Sequence, residues 1–136
     1  GGMVGVSYPW WRFRNGDFVL PSTTPSQFDP AAYVDSLELL GSYAPQRMYL
    51  THYGALDYSL EKAHLLERQI HAYCEFARAE TLDVGRLQQH LGDYALELLH
   101  QFGAPQSEAE LRHFLASDMQ LNAQGLQLWQ QRVTNV

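Results

Sequence analysis

The 136-residue sequence contains a single cysteine, Cys74, and a single lysine, Lys62. With no second cysteine, no internal disulfide can staple the fold, and a reducing compartment, the cytoplasm, is the expected location. One lysine and eight scattered arginines leave a net charge of −6 and a pI of about 5.4. That balance argues against a nucleic-acid partner, because phosphate binding needs a basic surface. No apolar run approaches the roughly 18 residues of a spanning helix, and no basic amphipathic face suits a membrane surface. A charged segment followed by an apolar run, the mark of a signal peptide, is also missing from the N-terminus. What is present is a charged fraction of only 18% and an apolar fraction of 46%. Those proportions belong to a folded chain with one modest core.

The composition changes along the chain. Five of the six prolines fall within residues 1–58, and the remainder reads as helix after helix. Asn15-Gly16 is a hairpin signal, because both residue types tolerate positive φ, with Phe18-Val19-Leu20 as the returning strand. Pro21 to Pro30 is a proline-rich loop. Asp29 and Pro30 start a helix as N-cap and first helical residue. Tyr33, Leu37 and Leu40 mark its apolar face, and Gly41 and Pro45 end it near Tyr43. Met48 to Thr51 follows as a short strand, and a helix returning into a strand suggests an α/β unit. Three helices then fill residues 59–136. Ser59 caps the first, with an apolar stripe of Ala63, Leu66, Ile70, Tyr73 and Ala77. Asp83 caps the second, with Leu87, Leu91, Tyr94, Leu98 and Phe102, and Gly103 stops it. Ser107 and Glu110 form a capping box for the third. Its stripe is Leu111, Leu115, Met119, Asn122, Leu126, Trp129 and Val133. Short connections favour antiparallel neighbours.

The residues that carry chemistry are few. His52 ends the strand Met48–Thr51 and is followed by Tyr53 and Gly54. A strand tip holds side chains on a rigid scaffold, and an imidazole there can ligate a metal or move a proton. Spacing alone favours a histidine packed at the edge of the core. His64 and His71 are two helical turns apart, about 10 Å by helix rise, too far to share a metal. His90, His100 and His113 have no partner at ligand spacing. Cys74 sits by an apolar stripe and reads as a buried structural thiol. Asn122 interrupts the apolar stripe of the last helix. It is either a satisfied polar group or a device for a specific contact. Trp10-Trp11 and the following Phe13 form an aromatic cluster suited to the core or to a substrate pocket.

The segment from Pro21 to Gly54 resembles the C-terminal part of metallo-β-lactamase-fold hydrolases. The matching residues are Pro21, Thr23, Thr24 and Pro25, then Phe28-Asp29-Pro30, then Leu50-Thr51-His52-Tyr53-Gly54. Asp118, Leu121 to Leu126 and Trp129 resemble the closing helix of one group of these hydrolases, so the resemblance spans nearly the whole chain. It implies an α+β fold: residues 1–58 as a strand-and-helix unit of an αββα sandwich, and residues 59–136 as a three-helix bundle that covers a cleft or mediates dimerisation. It implies that His52 is the last ligand of a two-metal centre holding zinc, iron or manganese. Tyr53, Trp10, Trp11 and Thr24 become candidates for contacting substrate.

The family's His-x-His-x-Asp-His motif is missing from the sequence. Its bridging aspartate precedes the stretch matching Met3 to Tyr8, where this chain has Gly2. The chain is therefore expected to begin just past that aspartate and to be a C-terminal fragment, with no metal of its own. One histidine cannot hold a catalytic zinc, which takes about four donors, one of them water. The intact relative is expected to cleave an ester, thioester or lactone-like bond. The expected partner is the missing N-terminal half or a second copy of the chain. The alternative class is a non-enzymatic helical interaction or dimerisation module.

Overall fold

The computed structural model describes residues 5–6, 8, 10–13, 16–23, 28–42, 47–50, 54–57, 60–80 and 83–134. Four helices hold most of them, and three of the four start where a local signal stands; Ser59, the cap expected for the other, lies outside the described residues. Helix α1 spans Pro30–Ser42. Asp29 caps it, its carboxylate Oδ1 accepting from the Ala31 and Ala32 amides at 3.0 and 3.3 Å. Helix α2 spans Leu60–Ala79 and α3 spans Val84–Phe102. Asp83 caps α3 by accepting from the Arg86 amide at 3.0 Å. Gly103 closes it in the left-handed region at φ 93°, a conformation that glycine adopts without a Cβ penalty. Helix α4, Glu108–Thr134, begins with the Ser107–Glu110 box: the Glu110 amide donates to Ser107 Oγ at 3.2 Å, and Glu110 Oε1 accepts from the Ser107 hydroxyl at 3.0 Å.

The strands are short and paired in twos. β1 (Gly5–Val6) pairs antiparallel with β4 (Leu20–Pro21), and β2 (Arg12–Phe13) pairs with β3 (Gly16–Asp17). Phe13 faces Gly16, so Gly16 opens the returning strand at residues 16–17; of the expected Phe18-Val19-Leu20 strand only Leu20 is in a strand, β4, which pairs with β1. Gly16 has φ 125°, and a Cβ there would stand 3.3 Å from the Phe102 ring, so both backbone and packing call for glycine. β5 (Arg47–Leu50) pairs antiparallel with β6 (Gly54–Asp57), closing on Leu50 opposite Gly54.

The described residues therefore do not form an αββα sandwich. Their strands make three separate two-stranded ribbons beside four helices. The expected α/β unit fails at β5, whose partner is the segment immediately after it. Gly54-Ala55-Leu56-Asp57 has little strand propensity, so nothing local announced that pairing.

One apolar core joins both ends of the chain. It packs Trp11, Phe18, Val19, Leu20, Phe28 and Leu37 against the inner faces of α2, α3 and α4. On α2 all five stripe residues, Ala63, Leu66, Ile70, Tyr73 and Ala77, are buried. On α3 Leu87, Leu91 and Leu98 are buried, and Tyr94 and Phe102 are packed at the margin. On α4 the stripe holds from Leu111 to Leu126 and fails at Val133, which is 49% exposed. No helix among the described residues is long and apolar enough to cross a membrane.

Candidate functional site

The most constructed feature of the molecule is a polar lock between the proline-rich loop and α4. A residue inside an apolar stripe must find hydrogen bonds or lose the free energy of its hydration. Asn122 finds them about 100 residues away in sequence. Its Oδ1 accepts from the Thr23 amide at 2.9 Å, and its Nδ2 donates to the Pro21 carbonyl at 3.0 Å. The Thr23 hydroxyl lies 2.9 Å from the Asn122 carbonyl oxygen and 3.1 Å from Asn122 Oδ1, and its one proton serves either. Thr23 and Asn122 are 1% and 3% exposed, so these bonds form out of reach of water. Gly125 lets the loop approach: a Cβ there would run into the Thr23 carbonyl and stand 2.8 Å from Thr23 Oγ1.

Two further contacts extend the lock along α4. Tyr8 donates its phenol proton to Asp118 Oδ2 at 2.8 Å, and Arg132 donates to the Phe28 carbonyl at 2.6 Å. Phe28 also meets Trp129 edge to face, with ring centroids 6.3 Å apart. Gln69 of α2 reaches the Val19 carbonyl at 2.9 Å from the other side. The Pro21–Thr23 loop is thus held between α2 and α4.

Beneath the lock lie the phenols of Tyr33 and Tyr73. Neither oxygen finds a hydrogen-bond partner of good geometry among the described residues. Burial pushes both far above the usual tyrosine value. For Tyr73 the neighbouring Tyr33 and Tyr94 add to the shift, and the Asn122 side chain opposes it. Burial likewise pushes the Cys74 thiol up to about 11, with Arg78 partly opposing, so it is a poor nucleophile at neutral pH.

Several other ionisable side chains are tied into surface pairs. His90 lies 3.3 Å from Glu80 and stacks on Phe76 at 5.7 Å. His71 is 3.7 Å from Glu67. An open groove of about 540 Å³ between α3 and α4 is lined by Asp93, Glu97, His100 and Glu108. Arg112 fills its charge, bonding Asp93 at 2.6 Å and Glu108 at 3.0 Å. Those two bonds, Asp93 first, hold the guanidinium further above its ordinary value. Among the described residues, no group of three or more His, Cys, Asp or Glu side chains is placed to hold a metal ion. His52, the one ligand expected from this chain, lies outside those residues.

Of the residues named from sequence, His52, Tyr53 and Thr24 lie outside the described residues. Trp11 is wholly buried, edge to face with Tyr8 at 4.8 Å and Phe18 at 4.9 Å. Trp10 is half-buried against Phe114 at 4.8 Å. The structure joins Thr23 to Asn122 and Tyr8 to Asp118, and no bond among the described residues links Trp10 or Trp11 to the Thr23–Asn122 pair. Tyr8 and Gln69 carried no signal in the sequence, since the partners that give them meaning are distant along the chain. No known protein family matches the chain, and no curated protein and no solved structure is significantly similar to it.

Proposed function

We propose that this chain is the C-terminal part of a metallo-β-lactamase-superfamily hydrolase, to whose metal centre it supplies His52. The remaining ligands belong to polypeptide that the chain does not contain, and alone it is inactive. The observation that supports this reading is the lock between Pro21, Thr23, Asn122 and Gly125. The resemblance rests on three stretches, the Pro21–Pro30 loop, Leu50–Gly54 and the last helix. Pro21 and Thr23 of the first meet Asn122 and Gly125 of the last. The substrate class implied is an ester, thioester or lactone-like bond. Tyr53 and Thr24, which belong to the resembling motifs, and the half-buried Trp10 are the proposed substrate contacts.

The test is metal retention in a longer polypeptide that carries the coding sequence upstream of Gly1. It is loaded with zinc, desalted and assayed by mass spectrometry, beside its His52→Ala variant and beside the 136-residue chain. The expected result is near-stoichiometric metal in the longer protein, a loss of about 10-fold or more in affinity in His52→Ala, and no retained metal in the short chain. Equal retention with and without His52 would overturn the proposal, and so would an upstream sequence without a His-x-His-x-Asp-His motif.

A further inference from the structure

Among the residues whose burial is described, the large hydrophobic side chains that stand exposed are on α4: Phe114 at 37%, Leu121 at 51%, Leu128 at 40% and Val133 at 49%. Phe114, Leu121 and Leu128 follow each other at seven-residue steps, so they form one stripe along the outside of the helix. At 1.5 Å per residue the stripe is about 21 Å long. Tyr8 and Trp10 pack on Phe114, at 4.4 and 4.8 Å between ring centroids, and widen its N-terminal end.

Apart from His113 next to Phe114, the polar residues beside the stripe are serine and glutamine. Between Arg112 and Arg132 the only Asp, Glu, Lys or Arg is Asp118, and it faces inward, 8% exposed. The outer face there carries Ser117, Gln120, Gln124 and Gln131. Apolar anchors without charge among them are the composition of an interface centre, not of a solvated helix face. Charge returns at the two ends. Glu110 lies four residues before Phe114 and Arg132 four residues after Leu128, so at 100° per residue both fall in line with the stripe.

The spacing is self-complementary. Leu121 is the midpoint between Phe114 and Leu128, and also between Glu110 and Arg132. We infer that α4 is the docking surface for a second copy of this chain, its two α4 helices antiparallel about a two-fold axis at Leu121. Such an interface is isologous, so every pair occurs twice. Leu121 then meets its own copy, Phe114 meets the partner's Leu128, and Glu110 meets the partner's Arg132. Parallel pairing would set glutamate against glutamate and arginine against arginine. The antiparallel arrangement also opposes the helix dipoles. This inference is independent of the hydrolase reading.

Sedimentation equilibrium on the full chain tests it, with circular dichroism as the control for folding. The expected result is a mass that rises with concentration from 15.5 kDa toward twice that value. Leu121→Glu sets two like charges face to face on the axis and should weaken association by about 100-fold. Glu110→Arg alone or Arg132→Glu alone should weaken it by about 5-fold, and the double exchange should restore it, since two rim pairs are worth that much. A monomer at every concentration would overturn the inference. Association unchanged by Leu121→Glu would also overturn it, because the contact would then lie elsewhere, at a strand edge for example. Failure of the double exchange to recover what the single exchanges lose would overturn the antiparallel register.

Discussion

Helices α3 and α4 are neighbours in one core, yet they distribute polarity in opposite ways. α3 turns Leu87, Leu91, Ala95, Leu98 and Leu99 inward and exposes Arg86, Gln89, Asp93, Glu97 and His100. Its stability follows from burial of an amphipathic face, the commonest source of helix stability in a folded domain. α4 buries Asp118, Asn122 and Gln130 among its leucines and exposes Phe114, Leu121, Leu128 and Val133. The exchange is not random. The inward polar groups sit where the chain returns from residues 8–28, and the outward apolar groups share one stripe. A helix that departs from simple amphipathicity on both faces has two neighbours to satisfy besides its core.

The largest expected effect breaks the α3 side. Leu91 is wholly buried, and Leu91→Ala should lower unfolding free energy by about 2–5 kcal/mol, toward the upper part of that range. Urea titration measures the drop, and a loss under about 1 kcal/mol would mean that the helix packs less tightly than its burial implies. The α4 side breaks differently. Asn122→Ala leaves the Thr23 amide and the Pro21 carbonyl buried and unpaired, at about 1–3 kcal/mol for each group before relaxation. A total near 3 kcal/mol is expected, but the distinguishing result is local. The Thr23 amide should exchange hydrogen quickly in the variant while the α3 amides stay protected. If Thr23 protection survived, the lock would not be holding the loop.

The smallest effect sharpens the same contrast through pH. Tyr73 lies against the polar inner face of α4, and burial raises its folded pKa above the ordinary 10.0. The neutral phenol is the form the fold holds. Its stabilisation is therefore complete below pH 10 and is lost as pH rises above it. Cys74 adds the same sign earlier, between its ordinary 9.0 and about 11. Thermal melting should shift down progressively from pH 8 to 10.5, and Tyr73→Phe should flatten the upper part of that fall. A melting temperature independent of alkaline pH would show these groups solvated.

Legibility followed distance along the chain. The caps at Asp29, Asp83, Gly103 and Ser107 were readable because each acts within four residues, and the stripes of α2 and α3 were readable because burial repeats with the helical period. The polar residue at 122 could be noticed but not interpreted, since the amide and carbonyl that satisfy it stand at Thr23 and Pro21. The strand expected at Met48–Thr51 is found at Arg47–Leu50, while its antiparallel partner, Gly54–Asp57, carried no propensity signal. The α/β inference failed on that pairing. The histidine and tyrosine between those strands, singled out by resemblance, lie outside the described residues.

The sequence by itself determined where the helices start and stop and which of their faces are apolar, because hydrogen bonding at helix ends and a 3.6-residue period are local properties. Only the tertiary structure decided that the strands pair in twos and that the Pro21–Thr23 loop is bolted to α4. It also decided that the heptad of Phe114, Leu121 and Leu128 faces outward. The last two depend on which distant surface takes up the second hydrogen bond or the second apolar face, and no run of neighbouring residues encodes that choice.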